Sequence, residues 1–295
     1  MKIGIVGGGA MGLFFASQMT EVHSTIVFTR TVEQAMTLSE QGIICIENHQ
    51  KVIRFVQADI TEHIDHYQLD LLFIAVKQYQ LHSILPYLHK ISEDVPLVFL
   101  QNGMGHLEEL DRLAHKQLLV ATVEHGVLRT SAATIEVRGR NRTNISAYRG
   151  EGKELFPFFD LFEATFPFVW RENTRSMLLE KFSANVVINP LTAVLKVTNG
   201  ELMTNPSFLK LAHIVFAELS GAFPNDVQEG VWTRIEQICL KTAYNRSSML
   251  TDLEKGRRTE VEAIVGYVLK EAKKNEVEVP LLQTLYLMIK GLEKK

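Results

Sequence analysis

A glycine cluster close to the N-terminus constrains the fold of this chain more than any other feature. The segment KIGIVGGGAMG is an apolar run followed by Gly7, Gly9 and Gly12, which have the spacing G-x-G-x-x-G. A short apolar run that ends in glycine is typical of a strand entering a tight turn, and the residues after it favour a helix. Because three glycines interrupt the apolar stretch, we do not interpret it as a signal peptide. The segment predicts a strand, a glycine turn and a helix.

Apolar segments and helical segments alternate over the first half of the chain. The apolar segments cover residues 2–7, 24–30, 69–76, 95–102 and 117–123. Their nearly continuous apolarity is typical of parallel strands covered on both faces, so we predict an α/β domain with a Rossmann-type, doubly wound sheet. Residues 31–41 predict a helix that Gly42 ends. Residues 43–57 predict an inserted hairpin, and residues 134–150 predict a second antiparallel pair that closes the sheet edge.

The second half of the chain has the periodicity of helices. The phenylalanine-rich segment 156–168 predicts a helix packed on the sheet. Asn205 followed by proline is a helix start signal, and Pro280 opens the last helix. Further helices are predicted near residues 225–243, 257–274 and 280–293. We therefore expect a Rossmann domain at residues 1–168 and an all-helical C-terminal domain at residues 169–295.

The composition excludes several classes of function. The 295 residues carry a formal net charge of −3, so the chain lacks the excess of positive charge that nucleic-acid binding requires. No stretch reaches the roughly 18 apolar residues of a membrane span. Cys45 and Cys239 are not spaced as a redox or metal pair, which favours a reducing compartment. We therefore predict a cytoplasmic protein without a metal, a nucleic-acid partner or a membrane partner.

The glycine motif predicts a dinucleotide site. In a strand–turn–helix context, Gly7, Gly9 and Gly12 let the backbone approach a diphosphate, which then lies at the helix N-terminus beside Ala10 and Met11. The motif is weak evidence outside this context. A glycine-rich turn without a ligand is the alternative interpretation.

The end of the second predicted strand indicates which dinucleotide binds. An acidic residue about 20 residues beyond the glycines would favour NAD, whereas this strand ends in Thr29 and Arg30 with no acid until Glu33. A hydroxyl and a guanidinium suit the 2′-phosphate of NADP. We therefore expect NADPH or NADP as the cofactor, and the alternative is that Arg30 is a solvated surface charge.

Two polar motifs follow predicted strands, at the edge where open α/β sheets bind ligands. Lys77 lies in VKQYQ, and Asn102 lies in QNGMG. Both positions favour contact with the cofactor or the substrate. Alternatively, Lys77 ends a strand, and Asn102 with Gly103 forms a turn.

A polar stripe crosses an otherwise apolar helical segment. Lys181, Asn185 and Asn189 recur at every fourth residue, so they share one side of a helix. An ammonium beside a ketone can stabilise the negative charge that develops on oxygen and deliver the proton, which makes Lys181 a candidate acid beside two substrate-binding amides. The alternative is a solvated lysine at a helix start. Ser248 and Glu260 lie in a later segment, where periodicity alone favours helix capping.

Together these motifs resemble the ketopantoate reductases (2-dehydropantoate 2-reductases). The resemblance covers essentially the whole chain, in the order GGGAMG, VKQYQ, QNGMG, EKFSANVVINPLTA and SSMLTDLEKGRRTEVEAI. It implies an N-terminal Rossmann domain and a helical C-terminal domain. The implied reaction is the NADPH-dependent reduction of 2-dehydropantoate to (R)-pantoate, in the synthesis of pantothenate and coenzyme A.

The resemblance also implies roles for particular residues. Lys181 would be the catalytic acid, and Glu260 would act near the substrate and the cofactor ribose. The implied substrate-binding residues are Asn102, Asn185, Asn189 and Ser248. The implied cofactor-binding residues are Gly7, Gly9, Ala10, Met11, Gly12, Arg30, Lys77, Asn102 and Glu260. Gln101 stands where some members have histidine, and the segment 124–131 matches less clearly.

Two other functions stay open. Related reductases share most of these motifs, so another branched 2-keto acid is an alternative substrate. A non-catalytic NADPH-sensing module is the second alternative, although it has no use for Lys181, Asn185, Ser248 and Glu260 together. We expect a small-molecule 2-keto acid as the partner, and a homodimer is the assembly that the helical domain would permit.

Overall fold

The computed structural model describes residues 1–162, 164–227 and 230–294. The chain forms two compact units. The first contains Met1–Gln101 and Leu107–Thr174, and the second contains Asn102–His106 and Arg175–Lys295. The short segment Asn102–His106 therefore belongs by its contacts to the second unit, although the first unit surrounds it in sequence.

The first unit is an α/β domain. Its strands are β1 (Lys2–Val6), β2 (Ser24–Thr29), β3 (Ile43–Glu47), β4 (Gln50–Arg54), β5 (Gln57–Ile60), β6 (Leu71–Ile74), β7 (Leu97–Phe99), β8 (Leu118–Val123), β9 (Gly126–Arg129), β10 (Thr134–Gly139), β11 (Thr143–Arg149) and β12 (Phe168–Trp170). Its helices are α1 (Ala10–Met19), α2 (Val32–Gln41), α3 (Gln78–Leu88), α4 (Leu107–Leu110) and α5 (Phe156–Asp160). Short 3-10 helices cover Thr61–His66 and Lys153–Leu155.

A mainly parallel sheet forms the centre of this unit and confirms the predicted Rossmann-type fold. Within the described residues, eight strands run in the order β12-β11-β8-β7-β6-β1-β2-β5. β1 pairs in parallel with both β2 and β6, so the strand order reverses at β1. Side chains such as Ile3, Ile5, Val27 and Phe73 are fully buried, as expected for strands covered on both faces. The carboxyl ends of β1 and its neighbours form the switch point where open α/β sheets bind ligands.

A second sheet, with the order β4-β3-β10-β9, corrects one prediction. β3 and β4 form the hairpin predicted at residues 43–57, which turns at Asn48 and His49 with positive φ angles. The antiparallel pair predicted at residues 134–150 is wrong. β10 pairs with β3 and β9, whereas β11 pairs with β8 and β12 in the large sheet. Each of these two strands buries its apolar residues in a different sheet, so adjacency in sequence does not decide the pairing.

The phenylalanine-rich segment forms less helix than predicted. α5 ends at Asp160, and the chain then turns and enters β12. Pro167 disfavours a helical conformation in the residue before it. Phe158, Phe162 and Phe166 are nevertheless buried, and their rings pack against one another. Core packing fixes this segment without a continuous helix, and Glu163 lies outside the described residues.

The second unit is largely helical. Its helices are α6 (Thr174–Leu195, whose first residue still belongs to the first unit), α7 (Glu201–Thr204), α8 (Pro206–Ala222), α9 (Val231–Lys241), α10 (Ser248–Glu254), α11 (Tyr267–Lys274) and α12 (Pro280–Leu292). A π-helical turn at Glu262–Gly266 precedes α11. In the described part of the chain, no helix combines the length and the apolarity needed to cross a membrane.

The two helix starts in this unit that were predicted from Asn205 and Pro280 are confirmed. The Asn205 side chain accepts hydrogen bonds from the N–H groups of Ser207 and Phe208 at the start of α8. α12 begins at Pro280, as predicted. The helices predicted near residues 225–243 and 257–274 begin later, at Val231 and in the π-helical turn. Gln228 and Glu229 in the first of these predictions lie outside the described residues.

Candidate functional site

The glycine turn between β1 and α1 has the geometry of an anion-binding loop. Gly7 has a φ of +118°, and a Cβ atom on Gly12 would lie 1.8 Å from the Gly7 carbonyl oxygen, so neither position tolerates a side chain. α1 starts at Ala10 with no side-chain cap and no acidic residue in its first turn. The first N–H groups of a helix lack intrahelical acceptors and attract anions. This loop therefore fits the diphosphate of a dinucleotide.

Two residues that the sequence analysis missed hold this loop. The carbonyl oxygen of Gly8 accepts hydrogen bonds from Gln34 Nε2 and from Arg129 Nη1, both at 2.8 Å. Gln34 Nε2 also donates to the carbonyl of Ala132, again at 2.8 Å. Gln34 lies 26 residues from Gly8, and Arg129 lies 121 residues from it, so no local pattern signals the contact. Arg129 belongs to the segment 124–131, so this contact places that segment beside the loop.

The end of β2 corrects one part of the 2′-phosphate prediction. Arg30 is exposed, as a phosphate ligand would need to be. Thr29 is fully buried, and its hydroxyl donates to the carbonyl of Thr31 at 2.8 Å. The Thr29 hydroxyl therefore stabilises the turn before α2 and does not bind a ligand. Thr31 is exposed and caps α2, since its Oγ1 accepts from the N–H of Gln34 at 3.3 Å.

Lys77 and Gln101 lie where β6 and β7 end. Lys77 is half-buried and forms the N-cap of α3, where its backbone N–H donates to Gln80 Oε1 at 3.2 Å. Gln101 is buried, and its Nε2 donates to the carbonyls of Ile74 and Val76 at 2.9 and 3.0 Å. Gln101 thus ties the chain after β7 to the end of β6. No local sequence pattern predicts this contact.

Asn102 and Glu260 meet in the second unit, although 158 residues separate them in sequence. Asn102 Nδ2 donates to Glu260 Oε2 at 3.1 Å, and Glu260 is only 7% exposed. Gly103 makes the approach possible, since a Cβ atom there would lie 2.4 Å from the Ala263 carbonyl oxygen and its φ is +81°. Ala263 belongs to the π-helical turn, a conformation that is often found at functional sites.

A second carboxylate holds the segment that carries Glu260. Glu293 Oε1 accepts from both the backbone N–H and the hydroxyl of Thr259, each at 2.7 Å. Burial opposes ionisation of Glu293, but hydrogen bonds from Thr259 and Lys290 outweigh it and hold the pKa of Glu293 below its ordinary value. The charged carboxylate is thus the form that fixes Thr259, next to Glu260.

His106 ends the short segment that carries Asn102. It is fully buried, and neither ring nitrogen has a hydrogen-bond partner among the described residues. Burial lowers the pKa of His106 to about 4, because the charged imidazolium would lose its hydration. The segment is therefore built around a neutral histidine at neutral pH.

The polar stripe lies on α6, as predicted from its spacing. Lys181 and Asn185 are half-buried, and Asn189 is 7% exposed, on a helix whose other residues in this stretch are buried. α6 continues past Pro190 to Leu195. The stripe is therefore a set of polar groups on a mostly buried helix, where polar groups are costly to bury without hydrogen-bond partners.

One hydrogen bond joins α6 to the residue before Ser248. The buried hydroxyl of Thr192 donates to Ser247 Oγ at 2.7 Å. Ser247 Oγ also accepts from the N–H of Leu250 at 3.2 Å and thereby caps α10. Ser247 is therefore the N-cap, whereas Ser248, the residue for which periodicity favoured capping, is the exposed first residue of α10. Thr192 is a further residue that the sequence analysis missed.

Comparisons with known proteins cover both halves of the chain. A model of the family described as ketopantoate reductase PanE/ApbA matches residues 3–150. The model of the C-terminal part of ketopantoate reductase PanE/ApbA matches residues 173–293.

Individual relatives agree with these models. A 2-dehydropantoate 2-reductase of Listeria innocua is 39% identical over 295 residues, which cover 99% of this chain and 97% of the relative. The crystal structure of PanE from Bacillus subtilis is 37% identical and has a TM-score of 0.90, with 99% of this chain and 100% of that chain covered. A D-mandelate dehydrogenase in complex with NADH and anilino(oxo)acetate also has a TM-score of 0.90, covering 100% of this chain and 98% of that chain. At 22% identity, this last likeness shows a shared fold.

Proposed function

Because this chain belongs to the ketopantoate reductase family, we propose that it reduces 2-dehydropantoate to (R)-pantoate with NADPH, in the synthesis of pantothenate and coenzyme A. One observation carries the proposal from the family to the chemistry of this chain. Lys181, Asn185, Asn189, Ser248 and the hydrogen-bonded pair of Asn102 and Glu260 all belong to one compact unit. A module that only senses NADPH has no need for these groups.

The roles of the residues form part of the proposal. NADPH supplies the hydride when it is bound. The ammonium of Lys181 stabilises the charge that develops on the substrate oxygen and donates the proton. Asn185 and Asn189 donate hydrogen bonds to the substrate from the next turns of α6, and the exposed Ser248 hydroxyl holds the substrate carboxylate.

Glu260 and Asn102 have a shared role in this proposal. The hydrogen bond between them holds both side chains in one orientation, which supports contact of Glu260 with the substrate and the cofactor ribose. Replacing Asn102 by alanine would remove this hydrogen bond from the buried Glu260 carboxylate, at a cost of about 1 kcal/mol.

Apart from Asn102 and Glu260, the cofactor contacts are assigned to the sheet domain, predicted at residues 1–168. The N–H groups of the loop from Gly7 to Gly12, including Ala10 and Met11, receive the diphosphate. Arg30 pairs with the 2′-phosphate. Lys77 lies after β6 at the switch-point edge and contacts the cofactor there. The helical domain, predicted at residues 169–295, supplies the substrate contacts other than that of Asn102.

The proposal also covers the identity of the substrate, the cellular location and the oligomeric state. The shared fold of a D-mandelate dehydrogenase keeps another 2-keto acid as the alternative substrate.

We place the enzyme in the cytoplasm, where NADPH is available. Exposed apolar side chains on the helical unit, among them Leu287 at 62% and Met288 at 50%, support a homodimer. Light scattering of the purified protein would measure its mass.

The test of the proposed function is NADPH oxidation with 2-dehydropantoate and a panel of other 2-keto acids. We expect the highest kcat/KM for 2-dehydropantoate. Lys181→Ala should lower kcat about 10²–10⁴-fold while NADPH still binds, because only the proton transfer and oxyanion contacts are lost. Lys210→Ala, at an exposed position of α8, is the matched control. Preference for another acid would change the substrate, and near-normal turnover by Lys181→Ala would refute the mechanism.

A further inference from the structure

The Gly8 carbonyl oxygen accepts two side-chain hydrogen bonds inside the cofactor loop. Gln34 Nε2 and Arg129 Nη1 both donate to it at 2.8 Å. The site is closely fitted, since a Cβ atom on Gly8 would lie 2.6 Å from the Gln34 amide. A side chain at this position, between the two motif glycines, would therefore displace the Gln34 amide from the Gly8 carbonyl.

The two donors fix the orientation of one peptide plane. The peptide bond between Gly8 and Gly9 is trans, so the N–H of Gly9 points opposite to the Gly8 carbonyl. Glycine peptides are otherwise free to rotate, and the motif places three glycines in a row. With the carbonyl held by Gln34 and Arg129, the N–H of Gly9 faces away from both side chains. It joins the uncapped N–H groups at the start of α1.

The second sheet anchors the donors. Arg129 is the last residue of β9, and its backbone pairs with Ile135 of β10. Gln34 uses its remaining amide hydrogen on the carbonyl of Ala132, in the turn between β9 and β10. The hairpin and the loop are thus joined through both side chains.

The charge of Arg129 adds an electrostatic effect. A guanidinium stays protonated at all relevant pH values. A hydrogen bond from an ionised donor is stronger than a neutral one, and it polarises the peptide that accepts it. The N–H of Gly9 on the same peptide therefore becomes a better donor toward a negatively charged ligand.

We propose that Gln34 and Arg129 form a clamp that presents the loop N–H groups to the cofactor diphosphate, with Arg129 as a positioning residue for cofactor affinity. The proposal rests on the proposed function, because it takes NADPH as the ligand. It assigns a role to Arg129 in the segment 124–131, the segment whose resemblance to the family is less clear. The clamp acts on binding and not on the chemical step.

The test compares two ligands of the full-length protein. We would measure Kd by fluorescence titration for NADPH and for adenosine 2′-phosphate, which carries the 2′-phosphate but no diphosphate. Arg129→Met should raise the Kd of NADPH about tenfold, the loss expected for one charge-assisted hydrogen bond, and change that of adenosine 2′-phosphate less than about twofold. At saturating NADPH, kcat should stay close to that of the wild type.

Three further variants complete the design. Arg129→Lys should restore part of the affinity, because an ammonium keeps the charge and a donor. Gln34→Met should weaken NADPH binding independently, which keeps the test valid if Arg129→Met folds poorly. Arg138→Met is the matched control, since Arg138 lies on β10 of the same hairpin and pairs with Glu136 at the surface.

The outcomes separate the two proposals. An unchanged Kd for NADPH in Arg129→Met and Gln34→Met would overturn the clamp, as would an equal weakening of both ligands, which indicates general distortion. A wild-type protein that binds no NADPH would overturn the proposed function and the clamp with it.

Discussion

His106 makes the stability of the helical unit dependent on pH in a direction that the structure fixes. The side chain is fully buried without a hydrogen-bond partner among the described residues, and burial lowers its pKa to about 4. In the unfolded chain the same group has its ordinary pKa of 6.5. Between these two values the unfolded state binds a proton that the native state does not bind. Stability is therefore lost as the pH falls from about 6.5 towards 4.

The magnitude follows from the size of the pKa shift. A shift from 6.5 to about 4 corresponds to about 3 kcal/mol once the pH has fallen below both values. At pH 5 the unfolded state is already protonated and the native state is not, so about 2 kcal/mol of this amount should be lost. That loss is a large fraction of the stability of an ordinary domain.

The assay is urea unfolding of the wild type and of His106→Leu at about pH 7.5 and pH 5. We expect His106→Leu to be as stable as the wild type or more stable at pH 7.5, because it removes two unsatisfied polar atoms. It should lose about 2 kcal/mol less than the wild type on going to pH 5. His82→Leu, at an exposed position of α3, should keep the wild-type pH dependence. Equal pH dependence in His106→Leu and the wild type, or an NMR titration of His106 near pH 6.5, would refute the argument.

Three further predictions concern the loop, α10 and the Glu260 segment. Gly12→Ala should raise the Kd of NADPH at least tenfold in a fluorescence titration, because its Cβ atom would lie 1.8 Å from the Gly7 carbonyl oxygen; unchanged binding would contradict the assigned loop geometry. Thr192→Val should cost about 1 kcal/mol in urea unfolding and raise the KM for the keto acid more than that for NADPH, since it frees Ser247 next to Ser248, the residue that we propose holds the substrate carboxylate; equal rises in both KM values would count against this role. Glu293→Gln should lose about 1–3 kcal/mol at neutral pH. The lowered pKa of Glu293 gives stability that is present above its unfolded pKa and lost as the pH falls through the folded value, so an acid unfolding series should show a weaker pH dependence for this variant.

The sequence by itself determined the features that depend on neighbouring residues. The strand, glycine turn and helix at Gly7–Gly12 follow from the backbone freedom of glycine next to an apolar run. The starts of α8 and α12 follow from the Asn205 cap and from Pro280, which lacks the N–H that a first helical residue does not use. The stripe from Lys181 to Asn189 follows from the helical repeat. Each of these signals acts within about two turns of the chain.

Tertiary structure decided the contacts between distant residues. β10 and β11 are adjacent in sequence but pair in different sheets, because each buries its apolar residues against a different partner. The pair of Asn102 and Glu260 and the bonds from Gln34 and Arg129 to Gly8 join residues between 26 and 158 positions apart. Such contacts depend on how whole elements pack, and packing is a sum over many side chains that no local pattern contains.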